Sequence, residues 1–185
     1  IAGRIVETEA YLPDDPAFHG WNAVDPASGM IRLTGRTAPL FGSPGVAYIY
    51  LVYGMYWLFN IVTERPGTGG CVLIRALEPL EGIAAMMERR GTNRERNLCN
   101  GPGKLVQALG ICPEQQGTDV THGPLYVEPP EAPSHYEIAV STRIGLTRGI
   151  ELPYRFYIKG HPDVSPGIPS DVTASRRKGR SARRV

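Results

Sequence analysis

Residues 5–11 read Ile-Val-Glu-Thr-Glu-Ala-Tyr. In an extended strand successive side chains point to opposite faces. Glu7, Glu9 and Tyr11 therefore share one face, and Val6, Thr8 and Ala10 share the other. Two carboxylates on one face bar the strand from an apolar core on both sides, because a buried charge must be paired. The fold must instead give this strand one packed face and one polar face. The polar face suits the wall of a reactive site, where a carboxylate takes a proton from water and a ring holds a flat ligand.

The rest of the chain predicts mostly short strands around this one. The first strand is expected over 4–11. Residues 12–44 form a long irregular stretch with five prolines; a loop of that length inside a domain is usually functional. Residues 47–53 and 56–62 are β-rich runs about Gly54-Met55, a tight hairpin. A two-residue turn would set Asn60 opposite Ile49, and a three-residue turn would set it opposite Tyr48. Residues 71–77 predict another strand. Residues 80–90 predict a helix stopped by Gly91, and Asn100-Gly-Pro-Gly-Lys104 leads into a second helix reaching Leu109, stopped by Gly110. Strands are expected near 126–128, 138–142 and 155–159. The fold class is mixed α/β (α+β): a single domain over 1–174 on an antiparallel or mixed sheet with a protruding hairpin, followed by a basic tail over 175–185.

Composition narrows the function classes. A chain of 185 residues with 42% hydrophobic and 21% charged residues suits one globular domain. No apolar run approaches the ~20 residues of a membrane helix, and no targeting segment opens the chain. The opening on strand sequence implies a natural segment before it. Three cysteines without CxxC spacing argue against a disulfide framework or a structural zinc site, and four scattered histidines form no metal motif. A reducing, intracellular location follows, with a bacterial cytoplasm as the expected setting. Of 20 basic residues, six fall in 175–185, where there is no acid. The body is thus mildly acidic. The tail is either a solvated end or a segment that tracks a phosphate backbone.

Several residues could carry chemistry. Arg75 lies in Cys-Val-Leu-Ile-Arg-Ala-Leu, a run apolar on both faces, so its guanidinium needs a carboxylate, with Glu9 the natural partner. The pair is either structural or holds Glu9 ionised beside a water. Tyr48 and Tyr50 share a strand face, while Tyr53 sits at the bend before Gly-Met-Tyr. The stripe is core packing or a binding wall, and the bend ring could wedge between base pairs. Asn60 interrupts the return strand, where a buried amide must find partners. His19 sits in the long loop, either solvated or at a rim. Lys104 starts a helix whose free N–H groups favour anions; the plain alternative is an ordinary capped helix.

Taken in order, residues 3–11, 48–56, 71–82, 98–105, 143–145 and 155–160 resemble the alkyladenine (3-methyladenine) DNA glycosylase family, and these segments cover nearly the whole chain. The resemblance implies roles. Glu9 corresponds to the general base, Arg75 to the arginine that positions the attacking water, and the Ile144 carbonyl to a backbone acceptor for that water. Tyr11, His19 and Tyr50 would enclose the flipped base, and Asn60 would help discriminate among purines. Tyr53 would fill the vacated space in the duplex with Met55 beside it, and Lys104 would lie near the DNA backbone. The family usually carries ~20–30 further residues ahead of the first strand.

The activity so implied is removal of alkylated purines (the 3-methyladenine and 7-methylguanine class) from double-stranded DNA by a Glu-activated water. No lysine lies near these pocket residues in sequence, so the product is an abasic site without strand cleavage. A monomer without metal or organic cofactor, and without membrane association, is expected. Two alternatives stay open: a non-catalytic binder of DNA lesions, and a hydrolase of another glycoside using Glu7 and Glu9 as a pair ~7 Å apart.

Overall fold

The polar-faced strand β1 (Ala2–Tyr11) is hydrogen-bonded on both sides, as a strand deep in a sheet must be. The computed structural model describes residues 1–25, 27–33, 35–130 and 135–172. The expected domain boundary at 174 and the tail over 175–185 lie outside the described residues. Five further strands complete the sheet: β2 (Ala47–Val52), β3 (Tyr56–Val62), β4 (Cys71–Glu81), β5 (Ile138–Ser141) and β6 (Arg155–Ile158). The order is β2-β3-β4-β1-β6-β5 and every pair is antiparallel. The fold is a single mixed α/β domain on an open antiparallel sheet, which resolves the expected choice between antiparallel and mixed.

One face of the sheet is covered by two helices, α1 (Ile83–Arg90) and α2 (Pro102–Leu109). Ile49, Phe59 and Ile74 from the strands pack there against Met86, Leu98, Leu105 and Val106. Gly91 and Gly110 end the helices in left-handed conformation, as expected. The first helix starts later than the 80–90 expected, because β4 runs on to Glu81. The cause is tertiary: Pro79 and Glu81 are held by pairing with Gly3 and Ala2. The strand expected at 126–128 does not form. Val127 gives one backbone bond to Val120 and no ladder follows.

The long segment after β1 folds back over the opposite side of the sheet. Its short 3-10 turns at Trp21–Ala23 and Ala38–Phe41 bring Phe18, Leu40 and Phe41 onto Tyr48, Val62 and Cys71. This second small core fixes a proline-rich stretch that has little regular structure of its own.

The hairpin between β2 and β3 has a three-residue turn. Val52 pairs with Tyr56, and Asn60 consequently stands opposite Tyr48. Tyr53 and Gly54 both have positive φ, +53° and +67°, and Met55 N–H donates to the Val52 carbonyl at 3.1 Å. That is the pattern of a type I′ turn, whose twist matches the strands it joins. Tyr53 is the only non-glycine residue with positive φ among the described residues. Tyr53 is 78% exposed, and Met55 and Tyr56 beside it are also exposed.

Candidate active site

Strand register places the polar residues in one line. Tyr48 stands opposite Asn60, Asn60 opposite Leu73, Leu73 opposite Glu9, Glu9 opposite Arg155 and Arg155 opposite Ser141. This row crosses all six strands, and Tyr48, Asn60, Leu73 and Glu9 line a single cleft of about 580 Å³. That size is typical of a small-molecule or nucleobase site.

Two irregularities in the pairing of β1 with β4 lie at the centre of the row, between Ile5 and Glu7 and between Glu7 and Thr8. The extra residues are Val6 on β1 and Arg75 on β4. Bulges of this kind re-aim side chains. Ile5, which simple alternation would put beside Glu7, packs instead toward the helix-side core. Glu7 and Glu9 stay together, and Arg75 is turned onto both.

Glu9 is fully buried at the floor of the cleft. Its Oε2 accepts the Tyr11 hydroxyl at 2.9 Å, its Oε1 accepts the Ile144 N–H at 2.8 Å, and Arg75 Nη1 lies 3.4 Å from Oε2. A carboxylate offers about four acceptor positions, so three protein donors leave room for one more. Burial, and next the negative charge of Glu9, push the Tyr11 phenol well above its ordinary range. Tyr11 therefore remains a donor to Glu9 at any ordinary pH.

Glu7 does not line the cleft. It is buried and held by Arg155 Nε at 2.7 Å, by Arg75 Nε at 3.0 Å, and by Ser165 through its N–H at 2.6 Å and its hydroxyl at 2.9 Å. A carboxylate so occupied cannot serve as the second acid of a glycosidase pair, which removes the structural basis for that alternative.

The aromatic wall is built from β2 and the long segment. Tyr48 and Tyr50 stack with centroids 5.4 Å apart, and the His19 ring lies 4.3 Å from that of Tyr50. His19 Nδ1 and the Tyr48 hydroxyl are 3.1 Å apart. Burial, chiefly, raises the phenols of Tyr48 (to about 12) and Tyr50. Partial desolvation, then the charge of Arg36, lowers the His19 imidazole, so its ring is neutral near pH 7. Arg36 donates to the Leu51 carbonyl at 2.6 Å and its guanidinium lies 6.0 Å from the Tyr50 centroid. Asn60 is buried, with Nδ2 donating to the Tyr48 carbonyl at 3.1 Å and Oδ1 near Cys71 Sγ.

Of the residues singled out from the sequence, Glu9, Tyr11, His19, Tyr50, Tyr53, Asn60, Arg75, Lys104 and Ile144 all border this cleft. Met55 lies outside it at the hairpin tip. Lys104 Nζ donates to Asn100 Oδ1 at 2.7 Å at the start of α2. Tyr56, on the hairpin side, packs so closely on Gly103 that a Cβ there would come within 3.1 Å of it.

Other residues of the site were given no individual role from the sequence. Arg143 is fully buried and pairs through both terminal nitrogens with Asp15, Nη2 to Oδ1 at 2.9 Å. It also donates to the Ala10 carbonyl at 2.8 Å, and it lies 4.5 Å from the Tyr11 ring centroid. Arg143 thereby ties together β1, the segment that carries His19, and the loop that presents Ile144. Arg155 opens the run 155–160 that carries the resemblance, without a role of its own, and Ser165 lies beyond the last expected strand. A buried arginine beside Ile-Gly, with Asp15 far away in sequence, is recognisable as a pair only in three dimensions.

No group of three or more His, Cys, Asp or Glu residues that could hold a metal ion is found among the described residues. No described helix is long and apolar enough to cross a membrane.

Residues 1–162 match the methylpurine-DNA glycosylase (MPG) family. A Salinibacter ruber protein named "Putative 3-methyladenine DNA glycosylase" is 46% identical over 171 residues, covering 92% of this chain and 83% of the relative. Proteins of the same name from Chlorobaculum parvum and Methanoculleus marisnigri are 49% and 45% identical, covering 88% and 89% of this chain and 74% and 82% of their own lengths. The family match takes in every strand of the sheet and all the residues that border the cleft, and on that extent the chain belongs to the methylpurine-DNA glycosylase family.

Proposed function

We propose that the chain extrudes alkylated purines, of the 3-methyladenine and 7-methylguanine class, from duplex DNA and hydrolyses the N-glycosidic bond with a water activated by Glu9. Family membership makes it a DNA glycosylase of DNA repair. The observation that carries it is the buried Glu9, with one acceptor position left, at the end of an aromatic cleft.

A stacked base hides its glycosidic bond, so the nucleotide must rotate out at a cost of a few kcal/mol. Tyr53, held out at the hairpin tip, stacks into the gap with Met55 beside it. Lys104, at the start of α2, meets a backbone phosphate. The base enters between Tyr11 and Tyr50, with His19 at the rim and Asn60 at the purine edge. An N-alkylated purine is cationic, and aromatic faces favour a cation. The C1′–N bond breaks as its electron pair returns to the purine, which departs neutral. Glu9 takes a proton from water, the oxygen bonds to C1′, and the sugar is left as a hemiacetal. Arg75 and the Ile144 carbonyl hold that water. The carboxylate also stabilises the oxocarbenium-like sugar.

A duplex with one 7-methylguanine or 3-methyladenine tests this. The expected products are free methylated purine and a full-length strand that breaks only on alkaline treatment. A lesion strand bound but chemically unchanged under single-turnover conditions would favour a lesion-binding protein instead.

A further inference from the structure

Glu7 is a buried carboxylate that the proposed chemistry does not use. It sits two residues from Glu9, at the site of both bulges, and the structure surrounds it with four donor contacts. Arg75 is shared: its Nε faces Glu7 at 3.0 Å and its Nη1 faces Glu9 at 3.4 Å. Ser165 closes the triangle, accepting from Arg75 Nε at 3.3 Å while donating through its hydroxyl to Glu7. Arg155, directly opposite Glu9 in the ladder, also directs its Nε to Glu7 rather than into the cleft.

A guanidinium is a rigid planar fork. Anchoring its Nε edge fixes where its terminal nitrogens point. The inner carboxylate and the serine hydroxyl take that edge, and the Nη1 end is left directed at Glu9. We infer that Glu7 and Ser165 are positioning residues that aim Arg75 at Glu9 and its water, Glu7 also balancing the two arginine charges behind the base. This inference rests on the assignment of Glu9 made above. It gives the second carboxylate of the Glu-Thr-Glu run a role without direct contact with substrate.

The sign of the charge effect is open to test. The groups that act on Glu9 are Tyr11 on its own strand, Arg75 on β4, Tyr50 on β2, and Arg143 with the Ile144 N–H in the loop after β5. Glu7 adds a negative charge behind Arg75. Replacing it by glutamine leaves Arg75 and Arg155 less compensated, which favours ionised Glu9 and moves the acid limb of the pH–rate profile to lower pH. A purely structural role leaves that limb in place.

The test compares Ser165→Ala, Ser165→Thr, Glu7→Gln and Glu9→Gln in single-turnover base release from a 7-methylguanine duplex, from pH 4.5 to 9. Ser165→Ala should slow release at least tenfold, with duplex affinity changed less than twofold, and Ser165→Thr should restore most of the rate. Glu7→Gln should slow release and shift the acid limb downward. Should Glu7→Gln fail to fold, the serine pair carries the test. Wild-type rate and acid limb in both Ser165→Ala and Glu7→Gln, beside an inactive Glu9→Gln, would overturn the positioning role alone. Retained turnover in Glu9→Gln would instead remove the base assignment, and this inference with it.

Discussion

Tyr53 occupies the position of a type I′ turn at which asparagine is preferred, directly before the glycine. A bulky L-residue in left-handed backbone costs about 1–2 kcal/mol, and asparagine relieves much of that. The residue is 78% exposed, so loss of the ring forfeits only about a fifth of the ~1.5–3 kcal/mol that full burial of a large apolar side chain provides. Tyr53→Asn should therefore stabilise the free protein by ~0.5–1.5 kcal/mol, raising Tm by about 1–6 °C for a domain of this size. The same change removes the ring that we propose fills the opened duplex. Base–aromatic stacking is worth ~1–3 kcal/mol, so excision from duplex DNA should fall about 5- to 150-fold. Thermal melts and single-turnover excision read the two effects separately. A lesion in a single-stranded oligonucleotide, which leaves no gap to fill, should show a much smaller loss. A lower Tm would refute the strain argument, and unchanged duplex excision would refute the wedge.

Other outcomes follow from the buried charges and phenols. Arg143→Met leaves Asp15 buried and unpaired, at a cost of about 3–5 kcal/mol; denaturant melts should show that loss, and adding Asp15→Asn should recover part of it. Tyr48 is an acid whose folded-state pKa is raised by burial from 10.0 to about 12. Its stabilising contribution is thus full below pH 10 and is lost as pH rises toward 12, with a slope of up to about 1.4 kcal/mol per pH unit. Tyr48→Phe should flatten the stability profile in that window by one proton's worth, and an unchanged alkaline slope would contradict the assignment.

How much of this was legible in the sequence depends on whether the signal was local. The alternation of β1, the hairpin and the two glycine stops are local patterns, and the structure has each of them. Even the position of Asn60 reduced to a choice between two turn lengths, and the three-residue turn decides it. What escaped depends on partners far away in sequence. β4 outlasts its expected end because residues 79 and 81 find Gly3 and Ala2. Residues 126–128 have strand-like composition but one backbone bond and no ladder. The bulges at Val6 and Arg75 leave no trace in composition, yet they turn Arg75 onto both acids. The Asp15–Arg143 pair joins residues 128 positions apart. The candidate site was legible where aromatic and acidic residues crowd one strand face, and illegible in the arginine and serine contacts behind it.

The claim on which the rest depends is that Glu9 acts as the base within the cleft, and Glu9→Gln tests it most directly. The amide keeps the shape but cannot take a proton from water, so base release from a methylated duplex should fall at least about 100-fold while affinity for the same duplex stays within about threefold. Release within tenfold of the unaltered protein would contradict it.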